Sequence, residues 1–68
     1  MSVAKVSEIS ATSSKSFEDA IQLGLGRAGK TLRHIRGAWV KEQHVRCGED
    51  GRITEYQVNM MVTFVLDD

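Results

Sequence analysis

The chain has 68 residues with nine basic and nine acidic side chains, so no net field draws it to nucleic acid or to an anionic membrane. Its one cysteine, Cys47, excludes an internal disulfide, and His34 and His44 have no cysteine partners at zinc-site spacing. A single domain over residues 1–68 holds a core barely sufficient by itself, which leaves self-association as the expected support.

Val3, Val6 and Ile9 alternate loosely and predict a first strand over 3–10. The cluster Ser10-Ala11-Thr12-Ser13-Ser14 predicts a turn, and Ser16 followed by Asp19 resembles a capping box. From Phe17 to Ile35 the apolar residues Phe17, Ile21, Leu25, Ala28, Leu32 and Ile35 fall at helical spacing. Arg27, Lys30, Arg33 and His34 crowd the second half of that stretch, where cations suit the helix dipole. Gly24, Gly26 and Gly29 each weaken a helix by roughly 1 kcal/mol relative to alanine. Two readings stand: the helix approaches a sheet or a second subunit closely, or it is simply marginal.

After Gly37 the period changes. Residues 38–47 and 52–66 predict two long strands around the hairpin signal Gly48-Glu49-Asp50-Gly51. In the last strand Tyr56, Val58, Met60, Val62, Phe64 and Leu66 form an apolar even-numbered face, whereas the odd-numbered face is mixed. The fold class is therefore α+β: β-α-β-β, one three-stranded antiparallel sheet with a single helix on one face.

The hairpin loop decides where Trp39, the one tryptophan, points. A two-residue Asp50-Gly51 loop pairs it with an even-numbered residue, under the helix. A three-residue loop Glu49-Asp50-Gly51, with Gly51 in the left-handed position, pairs Trp39 with Met61. The second register gives Ala38 and Val40 to the core. It leaves Gly37, Trp39, Lys41 and Gln43 on the helix-free face with Gln57 and Asn59, and sets His44 on the core face near its edge. One helix cannot cover both faces, so the face of Trp39 is expected to meet another subunit, a ligand or both.

The order β-α-β-β in under 70 residues, the entry Ala11-Thr12-Ser13-Ser14, the run from Arg27 to Ile35 and the last strand from Tyr56 to Phe64 together resemble the dodecin family over essentially the whole chain. The resemblance implies a sheet partly wrapped around the helix and a hollow homododecamer of cubic symmetry. It further implies non-catalytic binding that buffers or sequesters flavin, riboflavin or FMN, in pairs sandwiched between tryptophans. Carried over by position, Gln57 matches a flavin-contacting glutamine. Gly37 stands where flavin-binding members have the stacking tryptophan, and Trp39 stands where they have a glutamate. The stretch from Ile35 to Gln43 is more similar to a second dodecin branch that lacks this tryptophan and includes a calcium-binding member. The candidate ligand residues are thus Trp39, Gln57 and Gly37. The alternative is a non-flavin dodecin with a cation-binding or purely structural shell.

The remaining polar residues favour plainer roles. Glu49, Asp50 and Glu55 lack the oxygen density of a calcium loop and read as solvated charges. Asp67 and Asp68 read the same way, although identical carboxylates converge on the axes of a symmetric shell. Cys47 has no base nearby in sequence and reads as inert. Lys30, Arg33, His34 and Arg36 read as a solvated helix end. No catalytic dyad is evident, so no enzyme activity is expected. No apolar run reaches the length of a membrane span, and no signal-peptide core leads the chain. With a free thiol and three methionines, this predicts a cytoplasmic protein whose partners are copies of itself and a small ligand.

Overall fold

A computed structural model describes residues 3–66; Asp67 and Asp68 lie outside the described residues. Strand β1 (Ala4–Ser13) leads into helix α1 (Phe17–Ala28), and β2 (Ile35–Cys47) and β3 (Ile53–Val65) follow as a hairpin. The sheet order is β1-β3-β2, antiparallel throughout, so the last strand is central and both β1 and β2 are edges. This is the β-α-β-β arrangement expected from the hydrophobic pattern.

The core is the even-numbered face of β3. Val58, Met60, Val62 and Phe64 are buried there, against Ala20 and Ala28 of the helix. The buried line of the helix is Ala20, Gly24 and Ala28, spaced by four, while Phe17, Ile21 and Leu25 flank it half-buried. The apolar spacing pointed to the flanks, because large side chains straddle the contact line that small ones occupy. Small residues let the helix axis come close to the strands. A Cβ built on Gly24 would lie 2.5 Å from Met60 Cε and 3.0 Å from Ala11 Cβ, whereas one on Gly26 would meet nothing within 4 Å. Close approach therefore accounts for Gly24 and not for Gly26.

The helix is shorter than the apolar spacing predicts. It ends at Ala28, where the Gly29 amide caps the carbonyls of Leu25 and Arg27. The Leu32 amide then donates to the Ala28 carbonyl at 2.8 Å, and His34 takes a left-handed φ of 59° that turns the chain back into β2. Ile35 reaches the core from the first position of a strand rather than from a helix. Strand β1 is longer than expected and runs to Ser13, because Thr12 and Ser13 pair with Gln57 and Tyr56. The predicted turn over 10–14 thus shrinks to the residues between Ser13 and the N-cap.

Only half of the predicted capping box forms. Ser16 Oγ accepts from the Asp19 amide at 2.9 Å, but the Asp19 carboxylate accepts the Ser13 hydroxyl at 2.6 Å instead of turning back to Ser16. Ser13, buried, also accepts from the Lys15 amide at 2.9 Å. Its hydroxyl thus ties the end of β1 to the first turn of α1. Ser13→Ala is expected to cost about 2 kcal/mol, since it removes the acceptor of the Lys15 amide and the charge-assisted bond to Asp19. Chemical denaturation would read this, and a loss below about 0.5 kcal/mol would remove Ser13 as the tie.

The molecule is an elongated plate of 52 × 19 × 13 Å. Its radius of gyration of 14.1 Å exceeds the roughly 11 Å expected of a compact chain of this length. The helix packs on β1 and β3. Strand β2 is left exposed along all but its first residue.

Candidate ligand-binding face

The helix-free face is a grid of paired rows, built by the register of both edge strands on β3. Val6, Thr63 and Gly37 make one row, and Glu8, Met61 and Trp39 the next. Ser10, Asn59 and Glu42 follow, then Thr12, Gln57 and His44. Trp39 pairs with Met61 as the three-residue hairpin loop requires. Gly51 has φ 81°, and the Gly48 amide donates to the Arg52 carbonyl across the loop.

The register between the turn and Trp39 is not continuous, however. Thr54 is an extra residue on β3, between the pairs Arg46–Glu55 and Cys47–Ile53, and Lys41 is an extra residue on β2, between Val40–Met60 and Glu42–Asn59. The Thr54 hydroxyl donates to the Arg46 carbonyl at 3.2 Å and holds the first bulge. Each bulge shifts the pairing by one residue, in opposite senses, so they cancel at Trp39. Between them the faces are exchanged. Gln43 is opposite Val58 on the helix side, and His44 is opposite Gln57 on the helix-free side, contrary to the uninterrupted register. Neither extra residue, Lys41 or Thr54, is a glycine or proline, so residue type does not announce these bulges.

The polar groups of the face are largely engaged with one another. Asn59 Nδ2 donates to Glu42 Oε1 at 2.7 Å, and Lys41 Nζ lies 3.4 Å from Glu8 Oε1 beside the Trp39 row. Gln57 Nε2 donates to Ser10 Oγ at 2.9 Å, but its carbonyl Oε1 is buried and has no hydrogen-bond partner among the described residues. An unsatisfied buried carbonyl costs on the order of 1–3 kcal/mol. Trp39 remains 54% exposed, a large apolar ring without cover in the single chain. Gly37 has open space above it, with nothing within 4 Å of a built Cβ.

Trp39, Gln57 and Gly37 share this face but do not converge within one chain. From the row of Gln57 to the row of Met61 and Trp39 is four residues of β3, about 13 Å, and Gly37 lies one further row away, about 20 Å. Among the described residues no three His, Cys, Asp or Glu side chains gather where they could hold a metal ion, and Glu49, Asp50 and Glu55 form no such group. Asp50 instead pairs with Arg52, and Glu55 with Arg46. Cys47 is free and exposed. No helix among the described residues is long and apolar enough to cross a membrane.

A three-stranded sheet with its C-terminal strand central, one helix on one face and a tryptophan-bearing edge strand defines a class of small α+β proteins. The sequence matches the Dodecin family model over residues 3–67, and the chain belongs to the dodecin family. It is 46% identical to the dodecin of Thermus thermophilus over 66 residues, covering 97% of this chain and 94% of that relative. A crystal structure of an arginine-to-alanine mutant of the T. thermophilus dodecin superposes with a TM-score of 0.92 at 44% identity, over the whole of both chains. The Streptomyces davaonensis dodecin matches with a TM-score of 0.92 at 33% identity, over 98% of this chain and 97% of that one. The calcium-chelating calcium dodecin of Mycobacterium tuberculosis, solved with a novel calcium-binding site, matches at 0.82 and 35%, over 97% and 93%.

Proposed function

We propose that this dodecin is a non-catalytic, cytoplasmic binding protein that assembles into a homododecameric shell and sequesters flavin, riboflavin or FMN, on its helix-free face. The observation that carries this reading is the buried, unpartnered carbonyl of Gln57 on that face. A side-chain amide left with a free acceptor suits a ligand edge that presents an N–H group, and rotation away from Ser10 would offer both halves of the amide to it. Trp39 supplies an exposed aromatic surface on the same face, which a planar ring can cover. Gln57 and Trp39 are separate in one chain, so a ligand that meets both draws them from different subunits. Gly37 leaves room beside Trp39 where the family's tryptophan would stand.

Fluorescence titration of the purified protein with riboflavin and FMN tests this. Flavin emission is expected to fall and to saturate near one flavin per subunit, with weaker binding in Trp39→Ala. An undiminished emission at micromolar flavin would overturn it.

A second reading takes the shell as a cation-binding or structural assembly. It is favoured by Gly37 at the tryptophan position and by the likeness to the M. tuberculosis calcium dodecin. Any cation site of three or more carboxylate, imidazole or thiolate side chains among the described residues would have to draw on several subunits. Calcium-dependent stabilisation without flavin quenching would select this reading.

A further inference from the structure

The charges of the helix-free face pair off unevenly. From the row of Glu8 to the row of Glu55 it carries the carboxylates Glu8, Glu42 and Glu55 and is reached by the cations Lys41 and Arg46. Lys41 lies 3.4 Å from Glu8, and Arg46 lies 3.2 Å from Glu55. Glu42 has no cation partner among the described residues; its Oε1 accepts from the neutral amide of Asn59 at 2.7 Å. His44, in the next row, adds no negative charge in either of its forms. The face therefore keeps one carboxylate that nothing on it neutralises.

That carboxylate sits in the middle of the candidate site. Its row falls between the row of Trp39 and the row of Gln57, about 7 Å along the strands from each. A ligand held by the ring of Trp39 or by the amide of Gln57 therefore lies close to Glu42, whichever way it is turned. Riboflavin and FMN share the same ring system and differ in the tail, which ends in a hydroxyl or in a phosphate monoester with a charge near −2 at pH 8. A carboxylate accepts hydrogen bonds from hydroxyls and repels a phosphate.

We propose that Glu42 makes this face select the flavin with the uncharged tail, riboflavin, over its phosphate ester FMN. The inference rests on the flavin-sequestering reading above and chooses between its two ligands. The cations offer the phosphate no way around the repulsion. Lys41 and Arg46 are each held by a carboxylate, and drawing either one away leaves Glu8 or Glu55 unpaired in its place. Self-assembly does not dilute the effect, because every copy brings the same carboxylate to the same face. Hydroxyls of the ribityl chain, by contrast, suit Glu42 and Asn59 as donors and acceptors without any charge to offset.

Parallel titrations of the purified protein with riboflavin and FMN at pH 8, followed by flavin fluorescence, test this. At an ionic strength of about 10 mM riboflavin is expected to bind on the order of tenfold more tightly, the scale for one carboxylate and a dianion about 7 Å apart in water. At about 1 M salt, where screening acts within roughly 3 Å, most of that gap is expected to close. Glu42→Gln is expected to close it at low salt as well, by tightening FMN while riboflavin holds its affinity. The side chain is exposed and the amide keeps an acceptor for Asn59, so retained riboflavin binding reports an intact fold. If the variant does not hold riboflavin, the salt dependence of the wild type decides alone. FMN binding as tightly as riboflavin in the wild type, or a gap that survives high salt or Glu42→Gln, would overturn the selection while the flavin reading stands. Quenching of neither flavin would remove that reading, and the selection with it.

Discussion

Gly24→Val is expected to destabilise the protein by about 3 kcal/mol, the upper range for overpacking a tight contact. The methyl of Met60, 2.5 Å from a Cβ at this position, can move because it ends a flexible side chain. Ala11 Cβ, at 3.0 Å, cannot, since it is fixed to a strand paired with β3. The helix must therefore lift from the sheet along its buried line, and Ala20 and Ala28 lose contact with it. In a chain of this size the loss corresponds to a fall of roughly 15 °C in Tm at matched protein concentration. Gly26→Ala provides the contrast: its Cβ enters open space, and helix propensity predicts a gain of about 1 kcal/mol. Thermal unfolding of both variants checks the pair. Equal losses at the two positions would show that close approach at Gly24 is not what the fold requires.

Gly37→Trp is expected to tighten flavin binding about tenfold, equivalent to about 1.4 kcal/mol. A Cβ at this position meets nothing within 4 Å on the helix-free face, and the substitution sets an aromatic where the resemblance to flavin-binding dodecins implies their stacking tryptophan. A stacked pair contributes about 0.5–1.5 kcal/mol beyond area burial, which sets the scale. Trp39 lies in the adjacent row, so the double variant Gly37→Trp/Trp39→Ala separates the two rings. Retained tight binding in the double variant assigns the stack to position 37. An affinity for FMN unchanged by Gly37→Trp would show that this face does not hold flavin as the family does.

Much of the fold was legible in the residues. The alternation from Tyr56 to Leu66 identified the buried face of β3, because period two has no competing interpretation over that length. The hairpin loop followed from one glycine, Gly51, whose left-handed φ selects a three-residue loop, and Trp39 pairs with Met61 as that loop predicts because the bulges at Thr54 and Lys41 cancel. The helix end was harder. Leu32 and Ile35 continue the helical spacing although Leu32 lines the groove beside the helix from a turn and Ile35 packs on the core from a strand, and periodicity alone cannot distinguish these. The capping serine was right, but its expected partner was captured by Ser13, a neighbour only through the tertiary structure.

For the candidate site, side-chain identity and face came from the sequence, and proximity did not. Trp39, Gln57 and Gly37 lie on one face as the period of two requires, yet about 13–20 Å of strand separates them. An uninterrupted register puts His44 on the helix side, whereas two bulges, at Thr54 and Lys41, exchange the faces between them and set it on the helix-free side.

By itself, the sequence determined the element order, the buried face of the central strand and the three-residue hairpin loop. These depend on alternation and on one turn, which are local properties of the chain, whereas the face of Trp39 also depends on two bulges that cancel. Only the tertiary structure decided that β2 is left uncovered by the helix, that Gln57 keeps a buried carbonyl unpaired, and that Gly24 is a contact and not merely a weakness. Each of these depends on which surfaces meet at a distance of a few ångströms, and residues remote in sequence set that distance.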